Sequence, residues 1–213
     1  ATGWTDADQQ LDIPQTALQS YNQLAWFDAS TGLVQLADSY TDDTFTVSAW
    51  INFVAGATTQ TIYASRDGAS DGVLFFVSTG EKLACKVFTP SGSEATATSS
   101  QTLVEGKWYH VAFSYNRESS SSGVITLYIN GEADGTSTVS PTTNSLTHTT
   151  NARIGKDSFQ NAYWFRGAIT EVSIWNSVFT QSEINELYND GKALDATIPV
   201  SYTHLTLPTN REV

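Results

Sequence analysis

The run Phe45-Thr46-Val47-Ser48-Ala49-Trp50-Ile51 constrains this chain most, because its side chains keep a strict period of two. A strand sends successive side chains to opposite faces. Phe45, Val47, Ala49 and Ile51 therefore share one face, and Thr46, Ser48 and Trp50 share the other. A helix would scatter the same apolar residues around its circumference, so the segment belongs in a sheet with one buried face. Lys107-Trp108-Tyr109-His110-Val111-Ala112-Phe113-Ser114-Tyr115 repeats the alternation, with Tyr109, Val111, Phe113 and Tyr115 on its more apolar side. Residues 61–65, 73–77, 83–88, 124–130, 152–155 and 165–175 are further strand candidates, separated by Gly, Asn, Asp and Ser turns. The segment 124–130 ends at Asn130-Gly131, a hairpin signal, because a type I′ turn needs positive φ at both central residues. Many short strands with such turns predict an all-β sandwich or jelly roll.

One helix is expected near the end. Thr180-Gln181-Ser182-Glu183 forms a capping box, Phe179 and Ile184 occupy staple positions, and Ile184, Leu187 and Tyr188 make an apolar stripe before Gly191. A helix this short does not stand alone in water, so it must dock on the sandwich.

The 213 residues, 40% of them hydrophobic and 12% aromatic, suit one sandwich domain with a sizeable core. We read residues 1–20 as irregular, 21–199 as the domain and 200–213 as a tail of different character. The tail resembles translated adaptor read-through; the alternative is a genuine terminal strand. Ten basic residues against 22 acidic ones give a net charge of -12. Such a surface repels phosphates, which argues against nucleic acid and against anionic membranes, and it attracts cations. Cys85 is the single cysteine and lies in an apolar strand-like run, so intrachain disulfides and Cys-based metal sites are excluded and a buried thiol is expected. No run of 18 apolar residues is present, so no helix spans a membrane. The chain starts without Met and without the regions of a signal peptide, which is expected of a mature form or a piece of a multidomain protein.

The strand motifs also occur in a recognisable order. Phe45 to Ile51 resembles an "FTVSAWV" strand, and Gly106-Lys107-Trp108-Tyr109-His110-Val111-Ala112 resembles "GKWYHVA". Leu127-Tyr128-Ile129-Asn130-Gly131 resembles "LYVNG", and Phe165-Arg166-Gly167-Ala168-Ile169-Thr170-Glu171-Val172 resembles "F-x-G-x-I-D-E-V" ahead of a terminal helix. Phe27-Asp28 through Leu36 resembles an opening "FDG…DYV" strand, with Ala29 in place of the glycine. Over about residues 20 to 191 the chain resembles the laminin-G-like and pentraxin-like branch of the concanavalin A-like jelly rolls. The resemblance implies two antiparallel sheets and a lectin-like role outside the cell or on a cell or virion surface. The expected partner is a glycan or glycoconjugate, or alternatively a protein surface in adhesion.

The resemblance also implies Ca²⁺ as a candidate cofactor, because pentraxins hold it between two rim loops. Asp71 falls on the aspartate of the first loop and Asp157 on that of the second, although Gly72 replaces an Asn and Lys156 stands where another oxygen ligand is expected. A second, weaker metal pair is Asp28 with Glu171, weakened by Thr170 at the motif's Asp. Both aspartates of the first pair also suit plain turns. For sugar contact the candidates are Arg66, Tyr163, Trp164 and Trp50, since aromatic faces and planar polar groups hold saccharides; core packing is the competing role for the tryptophans. Paired carboxylates at glycosidase spacing are missing, as are a nucleophile elbow and an HExxH motif, so a binding module is expected rather than an enzyme.

Overall fold

A computed structural model describes residues 25–36, 43–66, 71–140, 146 and 152–191. The expected irregular segment 1–20, the loop residues 67–70 and the tail 200–213 lie outside the described residues. The described strands are β1 (Ala25–Asp28), β2 (Val34–Gln35), β3 (Thr44–Phe53), β4 (Gln60–Arg66), β5 (Gly72–Val77), β6 (Lys82–Phe88), β7 (Glu94–Thr102), β8 (Trp108–Ser119), β9 (Ser122–Ile129), β10 (Glu132–Val139), β11 (Arg153–Ile154) and β12 (Arg166–Trp175). They form two six-stranded antiparallel sheets. Sheet A runs β1-β12-β3-β8-β9-β10 and sheet B runs β2-β11-β4-β5-β6-β7. This is the two-sheet jelly-roll sandwich expected from the alternation.

The inward faces meet as the period-two pattern requires. Phe45, Val47, Ala49 and Ile51 of β3, with Val111, Phe113 and Tyr115 of β8, enter one core with Val73, Phe75 and Val77 of β5 and Leu83, Cys85 and Val87 of β6. Phe75 and Phe113 touch across the two sheets with ring centroids 5.0 Å apart. Burying each large apolar side chain contributes about 1.5–3 kcal/mol, which makes this layer the main source of stability.

Two strands escaped the pattern. β7 (EATATSSQT) and β10 (EADGTSTV) are edge strands with one solvated side, so they carry little apolar signal. Tertiary contact defines them. Gly135 of β10 has φ +134°, and a Cβ there would lie 2.6 Å from the Thr98 carbonyl of β7, so the two edges meet at a position only glycine fits. The expected opening strand 27–36 splits into β1 in sheet A and β2 in sheet B. The exposed Asp28 carboxylate makes the crossing by accepting the backbone N–H groups of Ser30, Thr31 and Gly32 at 2.9, 2.8 and 3.2 Å.

The outer face of sheet A is buried at β3 and β8 despite its polar pattern. Helix α1 (Gln181–Tyr188) lies over it, with the capping box intact: the Thr180 hydroxyl accepts the Glu183 N–H and the Glu183 carboxylate accepts the Thr180 N–H. Phe179, Ile184 and Leu187 pack on Ala112 and Tyr128. The Thr46 hydroxyl donates to the Ser177 carbonyl at 2.7 Å and accepts from the Phe179 N–H at 3.0 Å, fixing the approach to the helix on β3. The ring of Tyr188 stacks on Trp50 at 5.9 Å, and His110 lies 5.4 Å from Trp50. Trp50 and His110 are 3% and 2% exposed, and the His110 Nδ1 has no hydrogen-bond partner.

Candidate functional site

The hairpin β4–β5 and the segment leaving β11 converge at one rim of sheet B. Gly72 pairs with Arg66, which places Asp71 directly beside the end of β4. β11 pairs with β4 through Arg153↔Ala64 and Ile154↔Tyr63. The chain then runs along β4 instead of leaving the sheet. The Gly155 N–H donates to the Ile62 carbonyl at 3.1 Å, and the Thr61 N–H donates to the Tyr163 carbonyl at 2.9 Å. A Cβ on Gly155 would lie 2.1 Å from the Phe27 ring, so this close approach requires glycine. The Ser158 hydroxyl closes the contact, accepting the Arg66 N–H at 2.9 Å and donating to the Arg66 carbonyl at 3.0 Å.

These backbone contacts set up a buried ion pair. The Arg66 Nε donates to the Asp157 Oδ1 at 2.9 Å, and a second guanidinium nitrogen donates to Oδ2, a bidentate arrangement. Arg66 is 4% exposed and Asp157 0%. Asp157 also accepts the Phe159 N–H at 3.1 Å. The guanidinium carbon lies 4.9 Å from the Phe88 ring centroid and 5.4 Å from that of Phe159. Phe159 is 52% exposed, so the pair has an aromatic cover open to solvent. Beside it the Lys156 ammonium lies 4.3 Å from the Trp164 ring and donates to the Asn161 side chain at 2.7 Å. The Arg153 Nη1 donates to the Asp157 carbonyl at 3.3 Å, while its Nε is buried without a partner. Burial, and then the charge of Arg153, hold the Lys156 ammonium below the usual amine range, with Asp157 opposing.

Of the expected site residues, Arg66, Asp71 and Asp157 fall at this rim, Trp164 lies against the neighbouring Lys156, and Tyr163 sits further along β4, beside Thr61. Trp50 does not: it lies in sheet A beneath α1, stacked on Tyr188. Asp28 and Glu171 are not brought together. Asp28 pairs with Arg166, whereas Glu171 lies beyond Ile169, the partner of Ala25 at the other end of β1. Glu171 sits at a bulge in β12 with φ +50°, and hydrogen bonds from Ser30 and Thr31 hold the Asp28 carboxyl well below the usual carboxylate range.

Among the described residues, the Asp157 carboxylate of the expected Ca²⁺ pair is already engaged. Both oxygens of Asp157 are engaged by Arg66, and Lys156 and Arg153 add positive charge where a cation needs oxygens. Among the described residues no three His, Cys, Asp or Glu side chains group as metal ligands. Sequence reasoning passed over Arg153 and Phe159 as site residues and treated Lys156 only as an obstacle to a metal. A usable signal was present, since Arg153 and Lys156 stand close together in a chain with only ten basic residues.

Comparison with solved structures returns the same architecture at low identity. A heptameric SAP-like pentraxin from Limulus polyphemus matches at 16% identity and TM-score 0.55, covering 78% of this chain and 80% of that one. The CBM40 of a Ruminococcus gnavus IT-sialidase, bound to α2,6 sialyllactose, matches at 14% identity and TM-score 0.58, covering 78% and 97%. The binding domain of a Paraclostridial mosquitocidal protein matches at 14% identity and TM-score 0.55, covering 78% of this chain and 47% of that one. No curated protein matches the chain significantly by sequence. The laminin-G family model described as the concanavalin A-like lectin/glucanases superfamily matches residues 28–185, and with its two six-stranded sheets and docked terminal helix the chain belongs to that superfamily.

Proposed function

We propose that this domain is a non-catalytic glycan-binding module whose ligand lies at the sheet B rim, over Phe159 and Trp164. The observation that carries the reading is the exposed Phe159 ring, which lies over a guanidinium that Asp157 and Phe88 hold in place. A fixed aromatic face beside planar polar groups is what saccharide recognition needs, because the apolar face of a sugar stacks while its hydroxyls find hydrogen bonds. The sialyllactose-bound CBM40 among the similar structures supports the same class of ligand. The module works in the extracellular or surface setting that the family resemblance implies.

A glycan array probed with the purified chain tests this. Binding to a defined set of glycans, lost in the double variant Phe159→Ala/Trp164→Ala while it keeps a cooperative unfolding transition, is the expected result. An array with no signal above background overturns it. A Ca²⁺-assisted version, using Asp71 and Asp157, requires Arg66 to leave Asp157. It predicts a melting temperature that rises in millimolar Ca²⁺ and falls back with EDTA, because a ligand of the native state alone must stabilise it. A protein partner is the second reading, favoured by Trp26, Leu33 and Val34. These residues are 63%, 36% and 41% exposed on edge strand β1 and at edge strand β2. Trp26→Ser would weaken such a partner's binding and leave the glycan array unchanged.

A further inference from the structure

The charge around the rim is opposite to that of the whole chain. The protein carries -12, yet Arg66, Arg153 and Lys156 gather around Asp157, with Asp71 as the second described acid of the rim, beside the end of β4. The bidentate pair engages Arg66 with Asp157, and among the described residues neither Arg153 nor Lys156 forms a salt bridge with a carboxylate. Arg153 has a buried Nε with no acceptor, a state in which a donor keeps its desolvation penalty without a compensating bond. Lys156 and Arg153 sit within each other's field, and Asn161, a neutral amide, is the hydrogen-bond acceptor of the Lys156 ammonium. An anionic group lying against the half-buried Arg153 side chain, beside Lys156, would relieve their mutual repulsion. A sugar bearing that group would set its ring over Phe159 or Trp164.

Resting on the glycan-binding reading above, we infer that the rim selects acidic glycans, sugars carrying a carboxylate or a sulfate ester, with Arg153 and Lys156 recognising the charge. The acidity of the remaining surface sharpens this choice, since a general field of negative potential disfavours anionic ligands everywhere else. Charge-assisted hydrogen bonds exceed neutral ones in strength, so an acidic glycan should bind at least about tenfold more tightly than its neutral parent.

The test is an array of matched neutral, sialylated, uronate-bearing and sulfated glycans, probed at constant ionic strength with the wild-type chain, Arg153→Gln, Lys156→Gln and Lys107→Gln. The last removes one exposed positive charge in the turn before β8. The expected result is dominance of acidic glycans in the wild type and in Lys107→Gln, with that dominance lost in Arg153→Gln and in Lys156→Gln. Melting temperatures confirm that each variant is folded; because Lys156 is buried, Arg153→Gln decides if Lys156→Gln is not. Neutral and acidic glycans bound alike by the wild type would overturn the charge selection and leave glycan binding standing. Silence toward every glycan would overturn both. Sodium sulfate that displaces nothing from the array at matched ionic strength supports recognition of a whole acidic sugar, whereas full displacement at low millimolar sulfate would reduce the site to one for free anions and overturn the proposal.

Discussion

The outer faces of the two sheets begin from similar sequence and end in opposite states. On sheet A the polar positions of β3 and β8 carry Thr46, Ser48, Trp50, His110 and Ser114, all buried. On sheet B the corresponding face carries Arg66 and Phe88, buried by an ion pair and the ring of Phe159, with that ring half in water. A helix with its own apolar stripe seals the first face. A polar loop, held to β4 by backbone and serine contacts, covers the second. The difference separates a structural aromatic cluster from an accessible one. It also explains why Trp50 and Trp164, equivalent as sequence candidates, part company in space.

The Arg66–Asp157 pair offers the largest test of this contrast. Asp157→Ala strips the buried Arg66 guanidinium of its bidentate carboxylate, which should cost about 3–5 kcal/mol of unfolding free energy in urea titration. Replacing both partners together by Met and Leu should recover most of that loss, since packed apolar groups of similar volume can match a buried pair. A cost below about 1 kcal/mol for Asp157→Ala would show that the loop does not depend on the pair, and the comparison would fail.

On the sealed face, Ile184→Ala should cost about 3 kcal/mol by leaving a cavity under α1. The effect should appear in the same cooperative transition as the sheets, because the helix cannot persist undocked. A separate early transition would show the helix to be an independent flap. His110 tests the seal by pH. Burial lowers its folded pKa to about 4 from an unfolded value of 6.5. The folded state therefore prefers the neutral ring. Its stability contribution is fully present above pH 6.5 and is lost as the pH falls toward 4, by about 3 kcal/mol at the limit. His110→Asn should flatten that part of the stability curve. The smallest effect is expected at the open ring: Phe159→Ala should change stability by no more than about 0.5–1 kcal/mol while reducing glycan binding.

The strands of the core were legible because each has one face against the opposite sheet and one away from it. Such one-sided burial writes a period of two into Phe45 to Ile51 and into Tyr109 to Tyr115. The capped helix was legible for a similar local reason, since Thr180 and Glu183 satisfy the first turn's amides from neighbouring positions. β7 and β10 were not, because an edge strand with a solvated side needs no apolar repeat. The site was half legible. Arg66, Asp157 and Trp164 stood out individually, but nothing in the spacing announced that Arg66 would take both oxygens of Asp157.

The sequence by itself determined the sandwich, its alternating core and the position of the terminal helix, because these follow from local hydrogen bonding and from which side chains must leave water. The tertiary structure alone decided which outward faces remain accessible and which charges become partners. Arg66 and Asp157 are distant along the chain and meet only because β11 pairs with β4, and their burial turns two ordinary surface residues into a fixed support for the rim.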